Sequence, residues 1–137
     1  MTKILMATDG SEHADKIADT VIQLAKSLDA DVSVLSVAEV PARSSLDMVA
    51  LYRGKMEEET KGILERTKQY FAEKGLTVET IYKAGHPSSV ICEVAEEGNY
   101  DMVVLGSRGL GKIKEMILGS VSNRVAHCVK KSVFIVK

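Results

Sequence analysis

The feature that most constrains the fold is an alternation, along the whole chain, of short apolar runs with longer segments of helical hydrophobic spacing. The runs are rich in Val, Ile and Leu, as expected of strands covered on both faces of a sheet. We predict strands at Lys3–Thr8, Asp31–Val40, Leu76–Gly85, Tyr100–Gly106 and Ser132–Lys137. Between them, apolar residues recur every three or four positions, which predicts helices, including Leu46–Lys74 and Pro87–Gly98.

Strands that alternate with helices form parallel sheets, because each helix returns the chain across the sheet through a right-handed crossover. We therefore predict an α/β fold: a doubly wound, open, five-stranded parallel sheet of order 3-2-1-4-5 with helices on both faces. Leu76–Gly85 alternates apolar and polar residues, which favours an edge position. The 137 residues suit one domain, spanning residues 1–137.

The composition of the chain argues against several classes of binding partner. A net charge of -1 gives no reason to expect nucleic acid or an anionic membrane surface as a partner. No apolar stretch is long enough to span a membrane, and Asp9 comes too early for a secretory signal. Cys92 and Cys128 lie far apart within apolar helical patterns, so we expect buried, reduced thiols rather than a disulfide or a metal pair. These features predict a cytoplasmic protein.

Two loops are candidates for a binding site, because ligands of open parallel sheets lie at the carboxyl ends of strands where the strand order reverses. Asp9-Gly10-Ser11 follows the first strand, and Gly106 to Gly109 follow the fourth. The predicted order places these loops side by side, so we expect them to form one cleft. Asp9 or Ser11 could alternatively cap the first helix.

The fourth-strand loop nearly matches the Walker phosphate-binding pattern. Gly106, Gly111 and Lys112 fit, but Ile113 stands where that pattern needs a hydroxyl for magnesium. A phosphate site here must therefore rest on main-chain amides, which glycines allow to approach an anion closely.

Gly119 and Ser120 offer a second anion-binding feature. Gly119 breaks the preceding turn and Ser120 can cap a following helix, whose N-terminus would attract phosphate. Alternatively, the four-residue apolar spacing from Ile113 to Lys130 allows one unbroken helix through Gly119. Periodicity alone does not separate these two interpretations.

The spacing of Gly106, Gly109 and Gly119-Ser120 resembles the nucleotide-binding pattern of the universal stress protein family, in its ATP-binding members. The resemblance extends to "ILMATDGSEHA" at the first strand, "GHPSSVICEVAEEGNYDMVVLGSRG" at the third helix and fourth strand, and "SVFIVK" at the end. It covers essentially the whole chain. Ser36 stands where that family often has histidine, and Ser132 where it often has proline.

The resemblance implies a role for each matching residue. Adenine would meet Ala7 and the backbone near Thr8 and Val37, with Asp9 close to the ribose or the phosphates. The ribose and α-phosphate side would be wrapped by Gly106, Ser107, Arg108 and Gly109. The outer phosphates would meet Gly119, Ser120, Val121 and Ser122. The implied ligand is ATP, with ADP or AMP as alternatives, and Mg²⁺ held through the phosphates.

Function divides into three alternatives. We predict a nucleotide-dependent binding or signalling module of the stress response, and no catalytic residue, since no base or metal clamp accompanies Asp9 and the loop serines. A slow ATPase or an adenylating-type enzyme is the second alternative, and a dimeric interaction protein without nucleotide is the third. The histidines form no metal-ligand set with carboxylates or cysteines.

The last strand predicts a homodimer. Val133, Phe134, Ile135 and Val136 would form an edge strand in the predicted order, and only Lys137 is charged in that segment. An edge with apolar side chains and unpaired main-chain groups favours pairing with a second copy. The family resemblance independently implies a dimer of this kind.

Overall fold

The computed structural model describes residues 1–39, 46–107 and 119–137, with the backbone alone for 46–52. The strands are β1 Lys3–Ala7, β2 Asp31–Glu39, β3 Glu79–Gly85, β4 Met102–Gly106 and β5 Ser132–Val136. The helices are α1 Ala14–Leu28, α2 Leu46–Glu73, α3 Pro87–Glu97 and α4 Ser120–Cys128. None of the helices in these ranges combines the length and the apolar character needed to cross a bilayer.

The strands form one five-stranded sheet of order β3-β2-β1-β4-β5, and every pairing is parallel. This confirms the predicted fold and strand order, including the edge position of β3. β1 lies at the centre because it is nearly all apolar, with Ile4, Leu5 and Met6 fully buried. The order changes direction between β1 and β4, so their carboxyl ends open a crevice at that point.

Side chains of the central strands alternate between two apolar cores, as the two-residue period of a strand requires. Ile4 and Met6 pack with α1 and α2 on one face of the sheet. Leu5 and Ala7 pack with α3 and α4 on the other face. The helices therefore cover both faces, as predicted.

The structure shortens two of the predicted strands at their starts. The third strand begins at Glu79 rather than Leu76, because its pairing with β2 begins at the Ser33–Glu79 register. The fourth begins at Met102 because the Tyr100 N–H is donated to the Ala95 carbonyl, which ties Tyr100 to the end of α3. Val40, the predicted end of the second strand, lies outside the described residues.

The expectation for the cysteines is wrong. Cys92 on α3 and Cys128 at the end of α4 are joined by a disulfide, with Cα atoms 6.1 Å apart. Cys92 is partly buried and Cys128 is exposed. The 36-residue separation in sequence was misleading, because α3 and α4 pack side by side on the same face of the sheet.

Candidate functional site

A cleft lies at the carboxyl ends of β1 and β4, where the strand order changes direction. It contains about 570 Å³ of empty space, counting the part open to solvent. Its walls are mainly apolar, which is usual for sites that take organic ligands. The lining residues are Ala7, Thr8, Asp9, Ile17, Leu35, Val37, Pro87, Ile91, Leu105, Gly106, Val121 and Ser122.

The turn after β1 fixes Asp9 in the cleft. The Asp9 Oδ1 atom accepts the Ser11 N–H at 2.9 Å, and the Thr8 hydroxyl oxygen accepts the Gly10 N–H at 3.2 Å. Gly10 has φ +73°, a left-handed conformation that glycine adopts without steric cost. The second carboxylate oxygen, Oδ2, is shielded from solvent and has no hydrogen-bond partner among the described residues. A buried acceptor without a donor is costly, so this atom points to a missing partner.

The alternative that Asp9 or Ser11 caps the first helix is wrong. The residue preceding α1 is His13, and no side chain caps that helix end. Asp9 instead uses Oδ1 within its own turn, and Ser11 contributes its main-chain carbonyl to the Ala14 N–H. Oδ1 is therefore engaged in the turn, while Oδ2 has no hydrogen-bond partner among the described residues.

The segment after β4 is tied to its neighbours by main-chain hydrogen bonds. The Ser107 N–H is donated to the Val136 carbonyl at 2.8 Å, and the Ser107 carbonyl accepts the Gly119 N–H at 2.7 Å. The Ser122 hydroxyl is donated to the Gly106 carbonyl. These bonds hold the first turn of α4 against the end of β4.

The beginning of α4 decides between the two interpretations of Gly119. Gly119 is extended, with φ -68° and ψ 163°, and α4 starts at Ser120. The unbroken helix from Ile113 to Lys130 is therefore wrong, because the helix does not pass through Gly119. Ser120 is the first helical residue and not the cap, which corrects that part of the prediction. The N-terminus of a helix is a place where proteins commonly bind anions, and this one begins next to Val121 and Ser122 of the cleft lining.

The wall contributed by β2 presents main-chain groups. Leu35 faces β1, because its carbonyl accepts the Thr8 N–H at 3.0 Å. Along a parallel strand, the main-chain N–H and carbonyl groups of successive residues point alternately to the two neighbouring strands. The N–H and carbonyl of Val37, two residues after Leu35, therefore also point to the β1 side. They lie beyond Ala7, where the pairing of β1 with β2 ends. Ser36 is buried and donates its hydroxyl to the Thr8 carbonyl at 2.8 Å, which links the two strand ends where the family often has histidine.

The structure brings together seven of the twelve residues predicted from the sequence: Ala7, Thr8, Asp9, Val37, Gly106, Val121 and Ser122 line the cleft. Ser107 is buried and lines a smaller hollow beside Val136 and Lys137. Gly119 and Ser120 form the start of α4 next to the cleft. Arg108 and Gly109 lie outside the described residues.

Sequence reasoning missed five apolar residues of the lining. These residues are Ile17, Leu35, Pro87, Ile91 and Leu105. For Leu105 a signal was available, since it stands next to the carboxyl end of a predicted strand, whereas Leu35 lies in the middle of the predicted strand Asp31–Val40. For Pro87 and Ile91 no sequence signal was available, because their position depends on how α3 crosses the sheet.

The arrangement suits a ligand with three chemically distinct parts. The apolar walls would cover the faces of a flat ring system, and the main chain of Val37 would form hydrogen bonds with polar atoms at the edge of the ring. The Asp9 Oδ2 atom would accept a hydrogen bond from a hydroxyl group. The amides at the start of α4 would hold an anion.

Comparison with known proteins adds independent findings. The model of the universal stress protein family matches residues 1–137. The universal stress protein YxiE of Bacillus subtilis is 38% identical over 145 aligned positions, which cover 98% of this chain and 98% of that protein.

Solved structures agree in fold over almost the whole chain. The structure of MJ0577, a universal stress protein of Methanocaldococcus jannaschii, has a TM-score of 0.90 at 30% identity, covering 99% of this chain and 95% of that one. A universal stress protein in complex with cAMP has a TM-score of 0.75 at 26% identity, covering 99% of this chain and 97% of its own.

Proposed function

The chain belongs to the universal stress protein family, and from this premise we propose that it binds an adenine nucleotide in the cleft between β1 and β4. ATP is the proposed ligand, with ADP and AMP as its shorter alternatives. The related protein that was solved with cAMP supports an adenine nucleotide as the ligand class.

Adenine is assigned to the apolar end of the cleft. Ala7, Leu35 and Ile91 supply apolar surface there. The purine edge carries a donor and acceptors, which match the main-chain N–H and carbonyl of Val37 and the turn at Thr8. Burial of a flat base between such walls is favoured by the hydrophobic effect at about 25 cal/mol per Å².

The Asp9 carboxylate is the single observation that carries the proposal. Its Oδ2 atom lacks a donor among the described residues, and Asp9 is one of the residues that line the cleft. A ribose hydroxyl supplies such a donor. A hydrogen bond to a charged acceptor contributes about 1.5–3 kcal/mol, so Asp9 would be a principal determinant of affinity.

The phosphates are assigned to the glycine-containing segment. Gly119, Ser120, Val121 and Ser122 supply the first turn of α4 for the outer phosphates. Gly106 and Ser107, with Arg108 and Gly109 proposed from the sequence pattern alone, would surround the ribose and α-phosphate. Within residues 1–39, 46–107 and 119–137 no three metal-ligating side chains converge, so we propose that Mg²⁺ is held mainly by the phosphates.

We propose a binding or signalling module of the stress response rather than an enzyme. Among the described residues that line the cleft, Asp9 is the sole titratable side chain, and its Oδ1 atom is already engaged by Ser11. Phosphoanhydride hydrolysis needs an oriented water together with a base or a metal clamp. The described lining supports binding with slow turnover at most. We place this activity in the cytoplasm, as the sequence predicts.

A homodimer through β5 is part of the same proposal. β5 is at the edge of the sheet, and its Phe134 side chain is 41% exposed. A second copy pairing antiparallel through β5 would satisfy its free main-chain groups and cover Phe134.

Calorimetric titration with ATP, ADP and AMP, with and without Mg²⁺, tests the ligand. The sharpest variant is Asp9→Asn, because its amide oxygen still accepts the Ser11 N–H while its NH₂ group replaces the unpartnered Oδ2 acceptor. We expect the affinity for ATP to fall about 10- to 150-fold. Asp15→Asn, on the exposed side of α1, is the matched control and should bind normally.

Two results would contradict the proposal. The first is an absence of binding by the unaltered protein at millimolar nucleotide. The second is equal ATP affinity in Asp9→Asn and Asp15→Asn, which would show that the Oδ2 atom does not meet the nucleotide.

A further inference from the structure

The disulfide between Cys92 and Cys128 connects the two helices that form one wall of the cleft. Pro87 and Ile91 of α3 line the cleft, and Cys92 follows Ile91 directly. On α4, Ser122 lines the cleft and Cys128 ends the same helix, six residues or roughly 9 Å farther along its axis. The bond therefore ties the far end of α4 to the part of α3 that faces the ligand site.

Among the described residues, α4 has a small buried face. It is nine residues long, and its buried residues are Ser122 and Val125. The Ser122 hydroxyl and the Gly119 N–H anchor its first turn, whereas Cys128 is exposed at its last. Since isolated helices of this length are marginal in water, α4 depends on such anchors for its position. Among these anchors, the disulfide is the covalent one.

The disulfide lies at the protein surface. Cys128 is exposed, and both cysteines line a surface hollow together with Tyr100, Lys130 and Lys131. Both lysines are exposed. Positive charges beside a disulfide attract an attacking thiolate and favour the thiolate that leaves. A buried structural disulfide would offer none of these features.

We propose that Cys92–Cys128 is a reversible thiol–disulfide site that takes a dithiol as its reductant, and that its oxidised form binds the nucleotide more tightly. In the reducing cytoplasm predicted for this chain, such a bond would form under oxidative conditions. The second half of the proposal rests on the proposed nucleotide function, whereas the first half does not.

The exchange reaction balances in two steps. A thiolate of the dithiol attacks the sulfur of Cys128, the more exposed of the two residues, a mixed disulfide forms, and Cys92 leaves as a thiolate that takes up a proton. The second thiol of the reagent then displaces Cys128, which also takes up a proton. The protein gains two electrons and two protons, and the reagent becomes an intramolecular disulfide.

Oxidation favours binding because it holds α3 and the first turn of α4 in their ligand-binding arrangement before the nucleotide arrives. Fixing a site in its bound geometry lowers the entropy cost of binding. We expect the oxidised protein to bind ATP at least about 5-fold more tightly than the reduced protein, the lower end of common coupling factors. Reciprocity then requires that saturating ATP make the disulfide harder to reduce by the same factor.

The test equilibrates the full chain in mixtures of reduced and oxidised dithiothreitol, traps the thiols by alkylation and counts them by mass. The same samples are titrated with ATP by calorimetry. The double variant Cys92→Ser/Cys128→Ser is the control, since dithiothreitol should leave its ATP affinity unchanged. The expected result is a reversible loss of two thiols on oxidation, together with the 5-fold gain in affinity and the matching shift of the redox equilibrium by ATP.

Each contrary result overturns a defined part of the proposal. Two free thiols in every mixture would exclude the exchange site. Reversible oxidation with equal ATP affinity in both forms would exclude the coupling. If neither form binds ATP, the proposed nucleotide function fails and the coupling fails with it, while the thiol count still decides the exchange site.

Discussion

Replacing Gly10 by alanine is expected to lower the free energy of unfolding by about 2–5 kcal/mol, because the added methyl group carries two separate costs. The first is conformational: Gly10 has φ +73°, where an L-residue pays about 1–2 kcal/mol. The second is steric. An added Cβ would lie 2.7 Å from Ile63 Cγ1 and 2.8 Å from Ile63 Cδ1. The branched side chain of Ile63 is stiff about χ1, so relief requires a shift worth about 1–3 kcal/mol.

Gly75 provides the matched control for the conformational cost. Its φ is +85°, and an added Cβ would meet no heavy atom of the described residues within 4 Å. Gly75→Ala should therefore cost only about 1–2 kcal/mol. The difference between the two substitutions isolates the contact with Ile63.

Equilibrium unfolding in urea measures both variants, and a double-mutant cycle with Ile63→Ala tests the cause. In the Ile63→Ala background, the cost of Gly10→Ala should fall to the level of Gly75→Ala, because the atoms that the methyl group would meet are gone. Equal costs for Gly10→Ala and Gly75→Ala in the unaltered background would refute the steric argument. So would a Gly10→Ala cost that is unchanged when Ile63 is truncated.

Two further predictions concern other parts of the molecule. The Tyr70 hydroxyl is donated to Asp19 Oδ1 at 2.6 Å, and this hydrogen bond raises the pKa of Tyr70 to about 12. The stabilisation that this hydrogen bond gives the folded state is thus complete below the ordinary tyrosine pKa of about 10 and is lost as the pH rises through about 12; titration of phenolate absorbance should show that Tyr70 titrates late and that Asp19→Asn moves its titration earlier. Phe134→Lys should shift a dimer toward monomer in sedimentation equilibrium, whereas Leu28→Lys, at an apolar side chain of similar exposure on α1, should not; a monomeric unaltered protein at tens of micromolar would contradict the proposed dimer.

The fold was predictable because each strand and helix carries its own local signal. The run at Lys3–Thr8 is apolar at successive positions, which requires cover on both faces and hence a central parallel strand. The observed central position of β1 confirms this. Strand starts were less accurate, since Leu76 and Val78 are apolar and yet precede the first paired residue, Glu79.

The site was predictable where the chain itself turns, and not where separate elements meet. Asp9 lies just beyond the end of β1 and Gly106 is the last residue of β4, so local sequence places them at the cleft. Ile91 and the Cys92–Cys128 pair depend on the crossing of α3 and α4, which hydrophobic periodicity does not specify. The prediction of reduced thiols was wrong for this reason. It rested on the separation of the two cysteines along the sequence, whereas a disulfide depends on the distance between the packed helices that carry them.

The turn after β1 connects the two halves of the molecule. Gly10 lies close to Ile63 of α2, on the face that α1 and α2 cover, while Asp9 lines the cleft walled by α3 and α4. Asp9 holds its orientation by accepting the Ser11 N–H across Gly10, so a displaced Gly10 would also displace the Oδ2 atom. A substitution at Gly10, which lies on the α2 side of the sheet, is thus expected to weaken ligand binding without changing a residue of the cleft lining. The disulfide, in contrast, supports the wall formed by α3 and α4. The two walls of the cleft therefore have separate structural supports, and their effects on affinity should add, because they have no described residue in common.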